Sequence, residues 1–319
     1  MPNSEKATFF RKLLWILLGY TLLVILWGAW VRISFSGDGC GDSWPLCDGK
    51  LIPKERDGKT WIEFGHRLMS GAFGIYVFIV WAWGRKLFQK THRARLYGFL
   101  TLFFTVTEAL LGAKLVIFGL VTDNDSPWRA FSMGAHMFNS LLLVGSITVW
   151  LESLNPVRVP PQEELIKNLG YQLKWSIHKF IPATVFLFIA VAITGSVAAL
   201  SSTLFPSQSL LDGLLQELDP NAHYLVRLRG LHPLTATIVG GGLALIAWVM
   251  GQNVRDVNLK SRSVRLALLT GVGVVFGMLT LFLLYPIWMK LTHLLIAHLI
   301  WIHLLLWLVS LKQAFSKTS

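Results

Sequence analysis

Charge and cysteine are both scarce in this chain. Of its 319 residues only 14% are charged, and two are cysteine. Two thiols alone leave a zinc site incomplete. So little charge against 54% hydrophobic residues and a mean hydropathy of +0.56 excludes an ordinary water-soluble domain. The bases exceed the acids by 29 to 17, giving a net charge of +12, which could suggest nucleic acid. The positive residues are dispersed over several short segments, however, with no aromatic-interleaved soluble domain, and no nucleic-acid partner is expected.

What the chain has instead is a series of apolar runs long enough to cross about 30 Å of hydrocarbon as helices. Eight are expected, over 13–31, 62–84, 96–118, 130–150, 178–200, 230–250, 264–285 and 288–311. The first is long and lacks a small-residue cleavage site, so it reads as a retained helix and not a signal peptide. With the N-terminus inside, the inner segments carry 17 of the 29 Lys and Arg. The positive-inside rule therefore puts both termini on the cytoplasmic side. The first outer loop, residues 32–61, then faces an oxidising compartment and holds both Cys40 and Cys47. There the two cysteines read as a disulfide, with a redox role in catalysis as a further assignment.

Four of the nine histidines fall near the start of an even-numbered span: His66, His136, His232 and His293. All four thus lie in the outer half of the membrane. An ionisable side chain within a span is a functional candidate, and four at one depth suggest a ligand cage. Imidazole is neutral at ambient pH and binds iron well. Zinc would recruit a further Cys, Asp or Glu and copper a Met or Cys, whereas two imidazoles on facing helices can clamp a haem iron. Two haem sites are expected, one in each half of the chain.

The halves echo each other. Gly65-His66-Arg67-Leu68 parallels Leu231-His232-Pro233-Leu234, and Leu111-Gly112 parallels Phe276-Gly277. The expected architecture is an all-α integral membrane protein of two pseudo-repeated four-helix bundles, residues 1–150 and 176–319, joined by a cytoplasmic linker at 151–175. Arg32, Arg67, Arg227 and Arg229 cluster near the outer face, where haem propionates would meet them.

Several motifs together resemble the haem A synthase family. The first loop carries Val31-Arg32-Ile33-Ser34, Gly37 to Cys40, Trp44-Pro45-Leu46-Cys47-Asp48-Gly49 and Ile52-Pro53. Ile62-Glu63-Phe64-Gly65-His66-Arg67 follows in the second span, and Pro286, His293-Leu294-Leu295-Ile296-Ala297 and Trp301 mark the last. The resemblance implies oxidation of a methyl group of haem O, by successive hydroxylations, to the formyl group of haem A for cytochrome c oxidase. It implies that His66 and His136 flank the substrate haem, with Arg67 and Arg32 on its propionates, and that His232 and His293 ligate a cofactor haem b. Glu63, one turn before His66 on the same face, is the residue implied for proton transfer or for stabilising a cationic intermediate. Glu108 stands where the family commonly has Gln, and Pro233 where Arg is common. Haem O synthase upstream, oxidase assembly downstream and a quinol donor are the implied partners, besides membrane lipid. The alternative is a bis-histidine membrane cytochrome b that passes electrons from quinol and binds no haem substrate. The short N-terminus, with no Arg- and Ser-rich presequence, favours the bacterial plasma membrane over a mitochondrial one.

Overall fold

At membrane depth no water is available to bond the backbone, so each apolar run must satisfy its own N–H and C=O groups by closing into a helix. The computed structural model describes residues 4–53, 57–155 and 170–315. Its helices are α1 (Ser4–Ile33), α2 (Gly58–Leu87), α3 (Arg93–Ile117), α4 (Pro127–Ser153), α5 (Gly170–Leu204), α6 (Leu210–Leu218), α7 (Tyr224–Arg229), α8 (Leu231–Asn253), α9 (Val257–Phe282) and α10 (Ile287–Phe315). The described residues hold no strand beyond an isolated bridge between Cys47 and Lys50.

Eight of the spans among the described residues are long and apolar enough to cross a membrane, the number expected. The sixth, Tyr224–Asn253, starts before the expected 230 because α7 and α8 follow one another at Gly230. Helix α6 was not anticipated; Ser209 caps it by accepting from the Asp212 N–H at 3.1 Å. The expected linker falls largely on residues 156–169, which lie outside the described residues.

Helix starts are set by side chains that accept from otherwise unpaired N–H groups. Asp57 does this for α2 and Asp256 for α9, while Ser126 does it for α4, where Pro127 fixes the first turn. His92 and His223, two histidines with no evident role in the sequence, cap α3 and α7 through Nδ1.

Contacts divide the chain into two units, Met1–Leu154 with Ala199–Pro206, and Asn155–Ala198 with Ser207–Ser319. In the first, α4 is the most buried helix. Its Trp150 is 1% exposed and occupies the space left by two glycines: a Cβ at Gly84 or Gly98 would stand 3.2 or 2.8 Å from its ring. In the second, Gly273 of α9 makes room for Ile300 of α10, whose Cδ1 would stand 2.6 Å from an added Cβ. Small residues of this kind let membrane helices approach where no hydrophobic force distinguishes protein from lipid. Phe78, Phe99, Leu110, Phe186, Leu245 and Val275 point outward and are exposed, as a lipid-facing surface requires.

Candidate functional site

In the first unit the loop between α1 and α2 is docked onto α2. Cys40 and Cys47 form the expected disulfide, and the Asp48 N–H donates to the Cys40 carbonyl at 3.0 Å. The Cys40 N–H in turn donates to Glu63 Oε2 at 2.8 Å. Glu63 is 3% exposed, and its other oxygen accepts from Arg67 Nε and Nη2 at 3.1 and 2.5 Å. Arg67 Nη1 reaches back to the carbonyls of Ser43 and Leu46, at 2.5 and 2.6 Å. Glu63 and Arg67, a helical i, i+4 pair, thus tie both sides of the disulfide loop to the helix that carries His66. The sequence placed Glu63 near His66 but not its bond to Cys40, because that contact spans 23 residues.

The His66 ring packs where α1 has no side chain: a Cβ at Gly28 would stand 3.0 Å from its Cε1. The two helices are also joined by Trp27, whose indole N–H donates to the Ile62 carbonyl at 2.9 Å. His66 Nδ1 is buried without a partner. On α4, His136 Nδ1 lies 3.3 Å from Glu108 Oε1 of α3, and the two histidines are near enough to interact electrostatically. Glu108 also accepts from Asn139 Nδ2 at 2.6 Å and from the Ser140 hydroxyl, while Thr107 donates to Asn139 Oδ1 at 2.7 Å. Asn139 and Ser140 both donate to this carboxylate, and His136 Nδ1 stands beside it without a formed hydrogen bond. The supporting residues Thr107, Asn139 and Ser140 were missed in the sequence. Their signal is the i, i+3 and i, i+4 spacing of Asn139 and Ser140 from His136.

Arg32, at the end of α1, and Arg129, in the first turn of α4, each have a buried Nε without a partner. Arg129 is 2% exposed and donates through Nη1 to the carbonyls of Thr122 and Asn124, both at 2.6 Å.

In the second unit the rings of His232 and His293 are neighbours in an edge-on arrangement, with centroids 6.2 Å apart and planes at 72°. Two imidazoles bonded to one metal from opposite sides, at about 2 Å per bond, need centroids about 6 Å apart, so the spacing fits an iron between them. His232 Nδ1 is 3.2 Å from the Val191 carbonyl, a bond that leaves Nε2 for the metal. Both rings again sit over glycines: a Cβ at Gly195 or Gly277 would stand 2.8 Å from Cε1 of His232 or His293. Phe276 stacks on His293 at 6.4 Å and 13°, and His293 Nδ1 is buried without a partner.

The other two histidines of α10, and Arg229, are engaged elsewhere. His298 and His303 bond through Nδ1 to the carbonyls of Leu294 and Leu299, both at 2.9 Å, within α10 itself. Arg229 is taken up by Glu217 at 2.8 Å and the Gly213 carbonyl at 3.2 Å. Nearby, burial ahead of the opposing charges of Arg229 and Glu217 pushes the Tyr285 phenol up to about 12.

Among the described residues no three His, Cys, Asp or Glu side chains converge as a metal-binding group. Pairs of histidine are too few for a bare metal but suffice for haem, whose macrocycle supplies the other four donors.

A family model described as cytochrome oxidase assembly protein, COX15-CtaA, matches residues 11–305. A protein named protoheme IX farnesyltransferase from Thermus thermophilus is 37% identical over 292 residues, 90% of this chain and 46% of that protein. The chain therefore spans about half the length of that relative. Proteins named heme A synthase are similar over shorter stretches. The one from Lysinibacillus sphaericus is 40% identical over 112 residues, 34% of this chain and 36% of its own. The one from Symbiobacterium thermophilum is 44% identical over 96 residues, 30% and 31% respectively.

Proposed function

Since the chain belongs to the COX15-CtaA family of cytochrome oxidase assembly proteins, we propose that it is a haem A synthase, an oxidoreductase that converts a methyl group of haem O to the formyl group of haem A by successive hydroxylations. The observation that carries this is the contrast between two histidine pairs. His232 and His293 stand at ligating distance, with Phe276 stacked on one ring and the Thr194 hydroxyl 3.4 Å from the other, a setting without carboxylate contacts among the described residues that suits a permanent cofactor. His66 lies one turn from Glu63, on which the disulfide loop is docked, and His136 lies 3.3 Å from Glu108, a setting suited to chemistry on a bound substrate. Gly112 and Gly277 occupy echoing positions, yet Gly277 is filled by His293 while Gly112 has open space beside it.

On this proposal residues 1–150 form the substrate half, 151–175 a cytoplasmic linker and 176–319 the cofactor half. His66 and His136 hold the haem O substrate, with Arg32 toward its carboxylates, while Arg67, the other arginine the sequence offered, is engaged by Glu63 and two loop carbonyls. Glu108, 3.3 Å from His136 Nδ1, is placed to accept that N–H and so to leave Nε2 toward the substrate. Glu63, one turn from His66, moves a proton or stabilises positive charge at the reacting methyl. The Cys40–Cys47 disulfide holds the Cys40 N–H on Glu63, and its redox role would be to release that contact on reduction. His232 and His293 hold haem b, which when bound supplies one-electron chemistry while the protein supplies orientation and field. That a relative named for haem farnesylation contains a stretch like this chain supports a farnesylated haem as substrate and haem O synthase as upstream partner. Quinol is the proposed donor, and the bacterial plasma membrane, with both termini cytoplasmic, the proposed site.

Farnesyl transfer itself would call for carboxylates to hold Mg²⁺ and diphosphate. Glu63 and Glu108 are instead engaged with Arg67, Cys40, His136, Asn139 and Ser140. The test is chromatography of the haems that co-purify when the chain is expressed with haem O synthase. Haem A or a hydroxylated intermediate is expected, lost in Glu63→Ala with haem b retained. Haem b alone at two per chain, in both proteins, would favour the bis-histidine cytochrome b.

A further inference from the structure

The arginines near the outer face divide by what already occupies them. Arg67 is saturated by Glu63 and two loop carbonyls, and Arg229 by Glu217 and Gly213. Arg32 has no ion pair with any described carboxylate, and its Nε is buried without a partner. Arg129 is 2% exposed and bonded only to two neutral carbonyls, with its Nε likewise unpartnered. Carbonyl oxygens fix a guanidinium but do not neutralise it, and the nearest acids, Asp123 and Asp125, act on Arg129 only through space. The two arginines feel each other's charge. Arg129 is buried and Arg32 half-buried, each with an enclosed donor left over, and an anion between them satisfies both. Interface snorkelling does not account for Arg129, since a snorkelling side chain leaves its head in the solvent.

Their heights are set by the helices. Arg32 is four residues beyond Gly28, the residue under the His66 ring, and so about 6 Å further toward the outer face. Arg129 is seven residues before His136, about 10 Å outward on the same face of α4. The two guanidiniums thus stand on one side of the His66 and His136 level, where one edge of a macrocycle held between those histidines would lie. We propose that Arg32 and Arg129, and not Arg67, form the carboxylate site that grips the propionate edge of the haem substrate. The assignment rests on the proposal that His66 and His136 face that haem. A planar two-oxygen carboxylate is the anion that matches the guanidinium fork.

The test is a titration of the full-length protein, purified with haem b in its second unit, using haemin and haemin dimethyl ester and followed by the absorbance of histidine ligation. Esterification removes both carboxylates without any mutation, so the wild-type comparison is independent of whether a variant folds. The free acid is expected to bind more tightly by about tenfold per arginine engaged. Arg32→Gln should erase about tenfold of that preference, and Arg32→Gln with Arg129→Gln all of it, with the haem b spectrum unchanged as the sign of an intact fold. Equal binding of acid and ester by the wild type overturns the carboxylate site, as does a preference that survives the double substitution or disappears in Arg67→Gln. His66→Ala separates the two levels: if it leaves haemin binding unchanged, the haem assignment of the first unit fails, whatever the arginines do.

Discussion

Gly277→Ala is the substitution for which the structure sets the sharpest expectation. The added Cβ would stand 2.8 Å from His293 Cε1, with Nε2 at 3.4 Å and Nδ1 at 3.5 Å. The carbon contact is about 0.6 Å inside the 3.4 Å at which ordinary van der Waals contact begins. The backbone of α9 is fixed by its own hydrogen bonds, so the imidazole must give. Metal–ligand distances tolerate about 0.2 Å, and a displacement three times larger breaks the alignment of His293 with His232. Disturbing the groups that orient a ligand costs about 10- to 100-fold in affinity, equivalent to roughly 1.4–2.7 kcal/mol. The helix itself should not suffer, because alanine is favoured over glycine in a helix interior by about 0.8–1 kcal/mol. Purified protein would be assayed for haem per chain by pyridine haemochrome and for low-spin bis-histidine ligation by electron paramagnetic resonance. Loss of the low-spin signal with reduced haem b is expected. Gly271→Ala, on the same helix with nothing within 4 Å, should change neither. A Gly277→Ala protein with full haem b and an unaltered low-spin signal would refute the assignment of His293 as a ligand.

The same logic in the first unit makes Gly28→Ala, whose Cβ would meet His66 at 3.0 Å, weaken retention of the substrate haem while leaving haem b in place, read by haem chromatography. Glu63→Ala strands Arg67 without its buried counter-ion and should lower stability by about 3–5 kcal/mol, seen as a fall in Tm; an unchanged Tm would mean the loop is not anchored there. Replacing Cys40 and Cys47 by serine opens a short closed loop worth about 2.5 kcal/mol on chain-entropy grounds, and the loop should become a site of rapid protease cleavage. The Tyr285 phenol, held up to about 12 by burial, keeps its proton in the folded protein after an unfolded tyrosine would have lost it. Its contribution to stability is therefore complete below about pH 10 and disappears as the pH rises toward 12. Absorbance titration at alkaline pH should show a late phenol near 12 that is absent from Tyr285→Phe.

The sequence by itself determined the eight spans, the place of the four histidines near the start of their helices and the Cys40–Cys47 bond, because each depends on local quantities. A run of apolar residues must be helical in lipid whatever its neighbours are, and a histidine's depth follows from its distance along the helix at a fixed rise. Two cysteines seven apart can meet through their own loop alone. Tertiary structure decided which polar groups meet. Nothing local brings the Cys40 N–H to Glu63, His136 to Glu108 or His232 to His293. These contacts join separate helices or a loop to a helix, and their geometry depends on rotation about helix axes, which is set by where Gly28, Gly195 and Gly277 leave room for a ring. The arginines show the difference most clearly. By sequence Arg32, Arg67 and Arg229 are equivalent charges at one interface, and Arg129 attracts no notice. Only packing shows that Arg67 and Arg229 already have carboxylate partners while Arg32, half-buried, and Arg129, buried, each keep an enclosed donor to spare. A buried charge is defined by what surrounds it in space, and the order of residues along the chain does not record that.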